Sequence, residues 1–370
     1  MHSLIRWHKI LFLMADWLLT WEGPINEVPG LTERIWIIER EPGSCFDRIA
    51  LREVRGGEVR YPYPILILPG MLSHGEQLIH ASWHGIQPTI PLTQHPDTAI
   101  PLYLAKRGFL TYTVDYRTHF VMPDTKDLSF MLKWGWDAWL SDIKVVVDKV
   151  KELSGKDEVI LIGESFGGIA SMNFASVDQE SIKAIVFLDG APIKEQAPRV
   201  ISAASISELE AKKLYAVQSL IGSESVGLAN QVWLRALYNP SLPSPNPNFR
   251  TLADYLMDVL YRAGLANPYS YPYTPKEVAF AVIATFDPYW PARLLIEPTD
   301  KFRVGYGNVR VPTLAIVSEF GMRIADMEVL SRINTKIIAL KGYGHLDVYV
   351  NPNNVKDVNE PVYDWLLNLT

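Results

Sequence analysis

Ser165 is the residue of this chain best placed to do covalent chemistry. It stands in Gly163-Glu164-Ser165-Phe166-Gly167, after the apolar run Val159-Ile160-Leu161-Ile162 and before the helix-compatible residues 168–175. A serine hydroxyl is a weak nucleophile until a base takes its proton and a turn lifts it clear of its neighbours. A strand that breaks at a glycine-flanked serine and resumes as a helix supplies that turn, because glycine tolerates the strained backbone and the close approach. Ser165 is therefore read as a nucleophile on a tight strand-to-helix elbow. Its base has to be an imidazole that accepts the hydroxyl proton and later passes it to a leaving group. The chain has eight histidines, His2, His8, His74, His80, His84, His95, His119 and His345, and of these only His345 follows Ser165. It lies in the glycine-flanked Lys341-Gly342-Tyr343-Gly344-His345-Leu346-Asp347, past a strand-like segment at residues 335–340.

With these features the chain resembles the α/β-hydrolase superfamily from about Glu33 to its end. Within it, Gly344-His345-Leu346-Asp347 is similar to the histidine loop of acid lipases and related esterases. The resemblance implies the chain order serine, acid, histidine, which makes His345 the proton shuttle. It also implies an oxyanion hole of two backbone N–H groups. One belongs to Phe166. The other comes from Pro69-Gly70-Met71, in the place of the superfamily's His-Gly-x turn, and is assigned to Met71 with Leu72 as the near alternative. The acid would sit in a Gly-Glu-x-Asp pattern, whose positions here read Ser318-Glu319-Phe320-Gly321. Glycine occupies the usual aspartate position, so Glu319 is expected to orient His345. Asp189, ending the preceding strand at a position that some lipases use, is the first alternative. Asp326, better suited to cap a helix, is the second.

The elements that must hold these residues follow from hydrophobic periodicity. Strands are expected at residues 34–38, 49–54, 65–68, 109–114, 159–162, 184–188, 313–317 and 335–340, and helices at 99–106, 136–153, 168–175, 327–333 and 355–367. Alternating strands and helices give the fold class α/β: a mostly parallel eight-stranded sheet flanked by helices. After the sixth strand the alternation stops. Residues 207–220, 227–238, 252–264 and 276–286 read as helices joined by proline-rich connectors such as 239–247. The expected organisation is an N-terminal apolar helical segment at 1–30, a hydrolase core at 31–191 and 309–370, and a helical cap at 192–308.

Forty-eight per cent hydrophobic residues can bury a large core, and the net charge of −6 argues against a nucleic-acid partner. A single cysteine, Cys45, excludes an intrachain disulfide and fits a cytoplasmic location. Residues 4–21 are apolar but interrupted by charge. They are read as a helix packed on the body, with peripheral membrane contact as the second reading and a signal peptide as the third. Ser225 in Ser223-Glu224-Ser225-Val226-Gly227 lacks the first glycine of the elbow. His80 and His84 lie four apart but lack the glutamate of a His-Glu-x-x-His site, so no metal is expected. Asp115-Tyr116-Arg117 is read as structural. The resulting expectation is a serine hydrolase of carboxylic esters with an apolar acyl group, needing no cofactor. A peptidase or acyltransferase could use the same residues, and a non-catalytic binding protein is the alternative of a different class.

Overall fold

The computed structural model of the chain describes residues 16–25, 28–40, 44–80, 96–194, 205–217, 226–266, 274–297 and 300–369. The strands of the main sheet are β1 (Leu18–Pro24), β2 (Thr32–Glu39), β3 (Arg48–Arg55), β4 (Ile65–Leu68), β5 (Thr111–Asp115), β6 (Val159–Glu164) and β7 (Ile182–Leu188). After a two-residue ladder between β8 (Ala216–Val217) and β9 (Trp290–Pro291), the sheet closes with β10 (Thr313–Ser318) and β11 (Lys336–Leu340). The order across it is β1-β2-β3-β5-β4-β6-β7-β10-β11. The first three strands and the β3–β5 pair are antiparallel, and the remaining pairs are parallel.

Central strands are apolar on both faces because both faces are covered, and every residue of β4, β6 and β10 is buried. Leu66, Leu161 and Phe187 pack on one side with Val146, Val147 and Val150 of α3 (Trp136–Ser154), for which α1 (Gly75–His80) and α2 (Ile100–Lys106) come earlier in the chain. On the other side Ile67, Ile160, Ile162 and Val186 meet Val358, Val362 and Leu366 near the C-terminus.

Among the described residues the sheet has nine strands, one more than the eight expected. The additional one is β1, formed by residues expected to belong to an N-terminal helix. It pairs antiparallel with β2 and leaves Leu18, Leu19 and Trp21 exposed. An unpaired edge of β2 offers a row of backbone partners, and tertiary pairing of this kind overrides a local helical pattern. Residues 1–15, which carry most of the expected helix and of the expected membrane contact, lie outside the described residues. Among the described residues no helix is long and apolar enough to cross a membrane.

After α4 (Phe166–Ala175) and β7 the chain leaves the sheet for an insertion. It contains α5 (Ile206–Ala211), α6 (Val226–Tyr238), α7 (Leu252–Arg262), α8 (Lys276–Ala284), α9 (Ala292–Ile296) and α10 (Asp300–Tyr306). The helix expected at 207–220 stops at Ala211, because Lys213 turns into the left-handed region and Leu214 N–H bonds back to Leu209. Trp233, Leu256, Leu260, Phe280 and Ile283 give the insertion its own core. Leu346 and Val350 of the His345 segment join that core and tie the two regions together. The chain then re-enters the sheet and adds α11 (Glu319–Ile324), α12 (Met327–Arg332), α13 (Asp347–Val350) and α14 (Glu360–Leu367).

Asp115-Tyr116-Arg117 is built into buried ion pairs. Arg52 reaches Asp115 at 2.7 Å, Glu33 at 3.0 Å and Glu76 at 3.3 Å, and Arg117 binds Asp142 and Asp47.

Candidate active site

Ser165 sits at the break between β6 and α4 with φ 50° and ψ −119°, a conformation costly for a residue with a side chain. It is held by its N–H on the Leu188 carbonyl (3.0 Å) and by its carbonyl accepting Gly168 N–H (3.0 Å). The flanking glycines are required by contact as well as by the turn: a Cβ on Gly163 would overlap Gly168, and one on Gly167 would overlap the Leu68 carbonyl. Strand, turn and helix are thus packed backbone to backbone, and the serine side chain is what projects.

His345 Nε2 is 2.8 Å from Ser165 Oγ, and His345 Nδ1 is 2.6 Å from Asp189 Oδ2. The imidazole loop is fixed by His345 N–H on the Gly264 carbonyl (3.0 Å) and Leu346 N–H on the Leu265 carbonyl (2.8 Å), so the insertion helps to aim the ring. Phe320 and Tyr349 bracket it edge-on. Burial alone would lower the imidazole pKa. The hydrogen bond and charge of Asp189, with the charge of Glu164 behind them, outweigh burial and raise it.

The residue facing His345 is Asp189, and this corrects the expectation of Glu319. Glu319 begins α11, is exposed, and accepts Gly342 N–H at 3.1 Å on the far side of the histidine loop. Asp189 directly follows β7, with φ 45° and a fully buried side chain. Its Oδ1 accepts Ser318 N–H (2.6 Å) and its Oδ2 accepts Ser318 Oγ–H (2.7 Å) as well as the imidazole. These donors from the end of β10 fix the orientation of its side chain toward the imidazole. Gly321 is the counterpart, because a Cβ there would overlap Asp189 Oδ1. The glycine at the usual aspartate position leaves room for an acid that arrives from the next strand. Asp326 caps α12 by accepting Val329 N–H (3.2 Å) and pairs with Arg303. Asp347 is buried and staples its own loop, accepting Gly344 N–H (2.6 Å) and Thr274 N–H (3.1 Å).

The loop after β4 passes directly over Ser165: a Cβ on Gly70 would lie 2.9 Å from Ser165 Cβ. Met71 is half-buried there, and Leu72 takes a positive φ of 66° that turns the loop. Phe166 opens α4 and its ring stacks on Trp136 at 5.0 Å and meets Trp290 edge-on at 4.9 Å.

One group was not foreseen. Glu164, beside the nucleophile, is buried and its Oε2 accepts Gly70 N–H at 3.2 Å. It lies on the wall of a cavity of about 50 Å³ that Phe286, Leu346 and Tyr349 also line. Desolvation outweighs the Gly70 and Ser73 hydrogen bonds and pushes its pKa up to about 7. The signal was its place in the pentapeptide, where an acid is held rigidly under the loop that covers the serine. His74, His119 and Asp287, which come from three separate segments, bring ligand-type atoms within 4.8 Å of one another. Both His84 and Ser225 lie outside the described residues.

Comparison with other proteins decides the family. A structure of a candidate lipase from Sulfolobus solfataricus is 46% identical, with a TM-score of 0.88, over 96% of this chain and 99% of the other. The chain belongs to the α/β-hydrolase family. The profile of the alpha/beta hydrolase fold matches residues 63–206 of this α/β-hydrolase, a span that runs from β4 through the serine elbow to the start of the insertion. A carboxylesterase structure from the thaumarchaeon Nitrososphaera gargenis aligns with 90% of the hydrolase and 98% of its own chain, at 16% identity and a TM-score of 0.49. None of the curated proteins compared with the hydrolase matches it.

Proposed function

We propose that the chain is a serine hydrolase that cleaves carboxylic esters through an acyl-enzyme on Ser165. The observation that carries this reading is the unbroken line from Asp189 through His345 to Ser165, at 2.6 and 2.8 Å, ending on a serine in a strained turn. His345 Nε2 takes the Ser165 proton as Oγ attacks the ester carbonyl, while Asp189 fixes the tautomer and stabilises the imidazolium. The N–H groups of Phe166 and Met71 receive the oxyanion. The C–O bond to the alcohol breaks as His345 returns the proton to it. Water, deprotonated by the same imidazole, then releases the acid and restores Ser165.

Esters are favoured over other acyl compounds by the apolar character of the surroundings. Phe286 and Leu346 stand in the cavity wall beside Glu164, and the insertion contributes an aromatic and aliphatic core against the histidine loop. Residues 192–308 act in this reading as the cap over Ser165. The 46% identity to a candidate lipase points the same way. The space at Gly321, where the superfamily's aspartate would stand, is taken by Asp189, and a serine, histidine and acid in line support an enzyme over the binding-protein alternative.

Labelling with a fluorophosphonate probe tests the proposal. Wild type is expected to label and Ser165→Ala is not, and a p-nitrophenyl ester series on the same samples gives the acyl-length preference. A folded wild-type chain that neither labels nor turns over any ester would end this reading. Because the His345 pKa is raised above 6.5, kcat/KM is expected to climb with pH through a midpoint above that value, as the imidazole loses its proton and becomes a base. A midpoint below 6.5 would mean that Asp189 does not act on His345 in solution.

A further inference from the structure

Next to the serine site lies a buried cluster with no part in acyl transfer. His74 follows the loop over Ser165, His119 lies in the helical turn Arg117–Phe120 after β5, and Asp287 lies just past α8. Asp287 Oδ1 is 3.0 Å from His74 Nδ1 and 3.0 Å from His119 Nδ1, and the two imidazole rings are 4.2 Å apart. A tetrahedral zinc ion with bonds near 2.0–2.1 Å sets its ligand atoms about 3.3 Å apart. Asp287 Oδ1 stands at nearly that distance from each histidine nitrogen, and the three ligand atoms all lie within 4.8 Å of one another.

Two further features point to a cation. His74 is fully buried, and neither of its ring nitrogens has a hydrogen-bond partner, although Nδ1 lies so near Asp287. A short N···O separation with poor alignment arises when both atoms aim at a third point rather than at each other. The second is the outer support. Thr118 Oγ–H donates to Asp287 Oδ2 at 2.7 Å, fixing the oxygen that does not face the imidazoles, and Glu76 lies 3.7 Å from His119 Nε2. Partners of this kind accompany ligating histidines and carboxylates.

We propose that His74, His119 and Asp287 form a binding site for zinc or a similar divalent transition metal, with water at the fourth position. Two nitrogens and one carboxylate oxygen suit zinc. The ion joins the segments that follow β4 and β5 to the insertion, at a point where Asp287 N–H already bonds the Leu72 carbonyl at 2.7 Å. Its role is to fasten the loop over Ser165 to the insertion; it takes no part in the reaction.

The test uses the full chain, stripped with chelator, dialysed against zinc chloride and then against metal-free buffer. Elemental analysis is expected to find about one zinc per chain, with Tm at least about 5 °C above the stripped form. Cobalt(II) in place of zinc is expected to give the strong visible bands of a four-coordinate site. His119→Gln and Asp287→Asn are each expected to weaken binding at least about tenfold and to remove the Tm difference. Circular dichroism of the stripped forms checks their folding. A wild-type chain that holds no zinc and shows no Tm change overturns the proposal, leaving a hydrogen-bonded His–Asp–His cluster. Folded variants that bind zinc as wild type does also overturn it, since the metal would then sit on other histidines. If the variants do not fold, the cobalt spectrum decides: weak bands of a six-coordinate, solvent-bound ion count against the site.

Discussion

Asp189→Asn is expected to lower kcat/KM for a p-nitrophenyl ester by about 10⁴-fold, the loss that follows when the carboxylate behind a catalytic imidazole becomes an amide. Asp189 offers acceptors only, and all of its neighbours donate: Ser318 N–H, Ser318 Oγ–H and His345 Nδ1–H. An asparagine must place an NH₂ group against one of these donors. If it faces His345, the ring is driven to the tautomer that carries its proton on Nε2, where it cannot accept from Ser165. If it faces the Ser318 backbone N–H, a buried donor loses its acceptor. Glu319→Gln is expected to change kcat/KM by less than about threefold, because an exposed side chain on Gly342 N–H has little to lose. Measuring the two variants side by side on one ester is decisive. A crippled Glu319→Gln beside an active Asp189→Asn would return the acid to the loop after β10.

Glu164→Gln is expected to stabilise the protein at alkaline pH and to have little effect near pH 4.5. The folded chain keeps a proton on Glu164 up to about pH 7, whereas the ordinary value is 4.5. Between those values unfolding releases a proton, so stability falls as pH rises, and above pH 7 the full penalty of a buried carboxylate is present. The difference corresponds to roughly 3 kcal/mol at most. Glutamine keeps an acceptor for Gly70 N–H and removes the charge. Thermal or urea unfolding of both proteins at pH 5 and pH 8 measures it: the gap in stability should open between those pH values. An equal gap at both would mean that Glu164 is ionised throughout. Loss of the Glu164 charge also removes one of the groups that raise the His345 pKa, so the activity midpoint should move down in the same variant.

What could be read in advance was local. Ser165 is announced by its neighbours in sequence, since the strand, the glycines and the helix are contiguous, and His345 by being the one histidine after it. The sheet strands from β2 onward follow from apolar runs of strand length. The acid was out of reach because the choice between Glu319 and Asp189 depends on how the ends of β7 and β10 pack together. That relation between residues far apart in the chain leaves no spacing to count. The nature of β1 was hidden for a similar reason: residues 18–24 are apolar enough for either element, and the edge of β2 decides. His74, His119 and Asp287 share no motif, and only the folding of three segments onto one point brings them together.

Asp189 and Gly321 also bear on descent. The space a side chain would need at position 321 is filled by the carboxylate arriving from position 189. The two addresses for the acid are therefore mutually exclusive, and the substitutions that move it are bound to an order. A lineage leading to this chain could not keep a spare acid at 321 while acquiring the one at 189. From any ancestor with a side chain at 321, that position would have to shrink first or in the same step, and an acid at 321 cannot enter now until Asp189 has gone. The glycine works as a ratchet that holds the acid on β7.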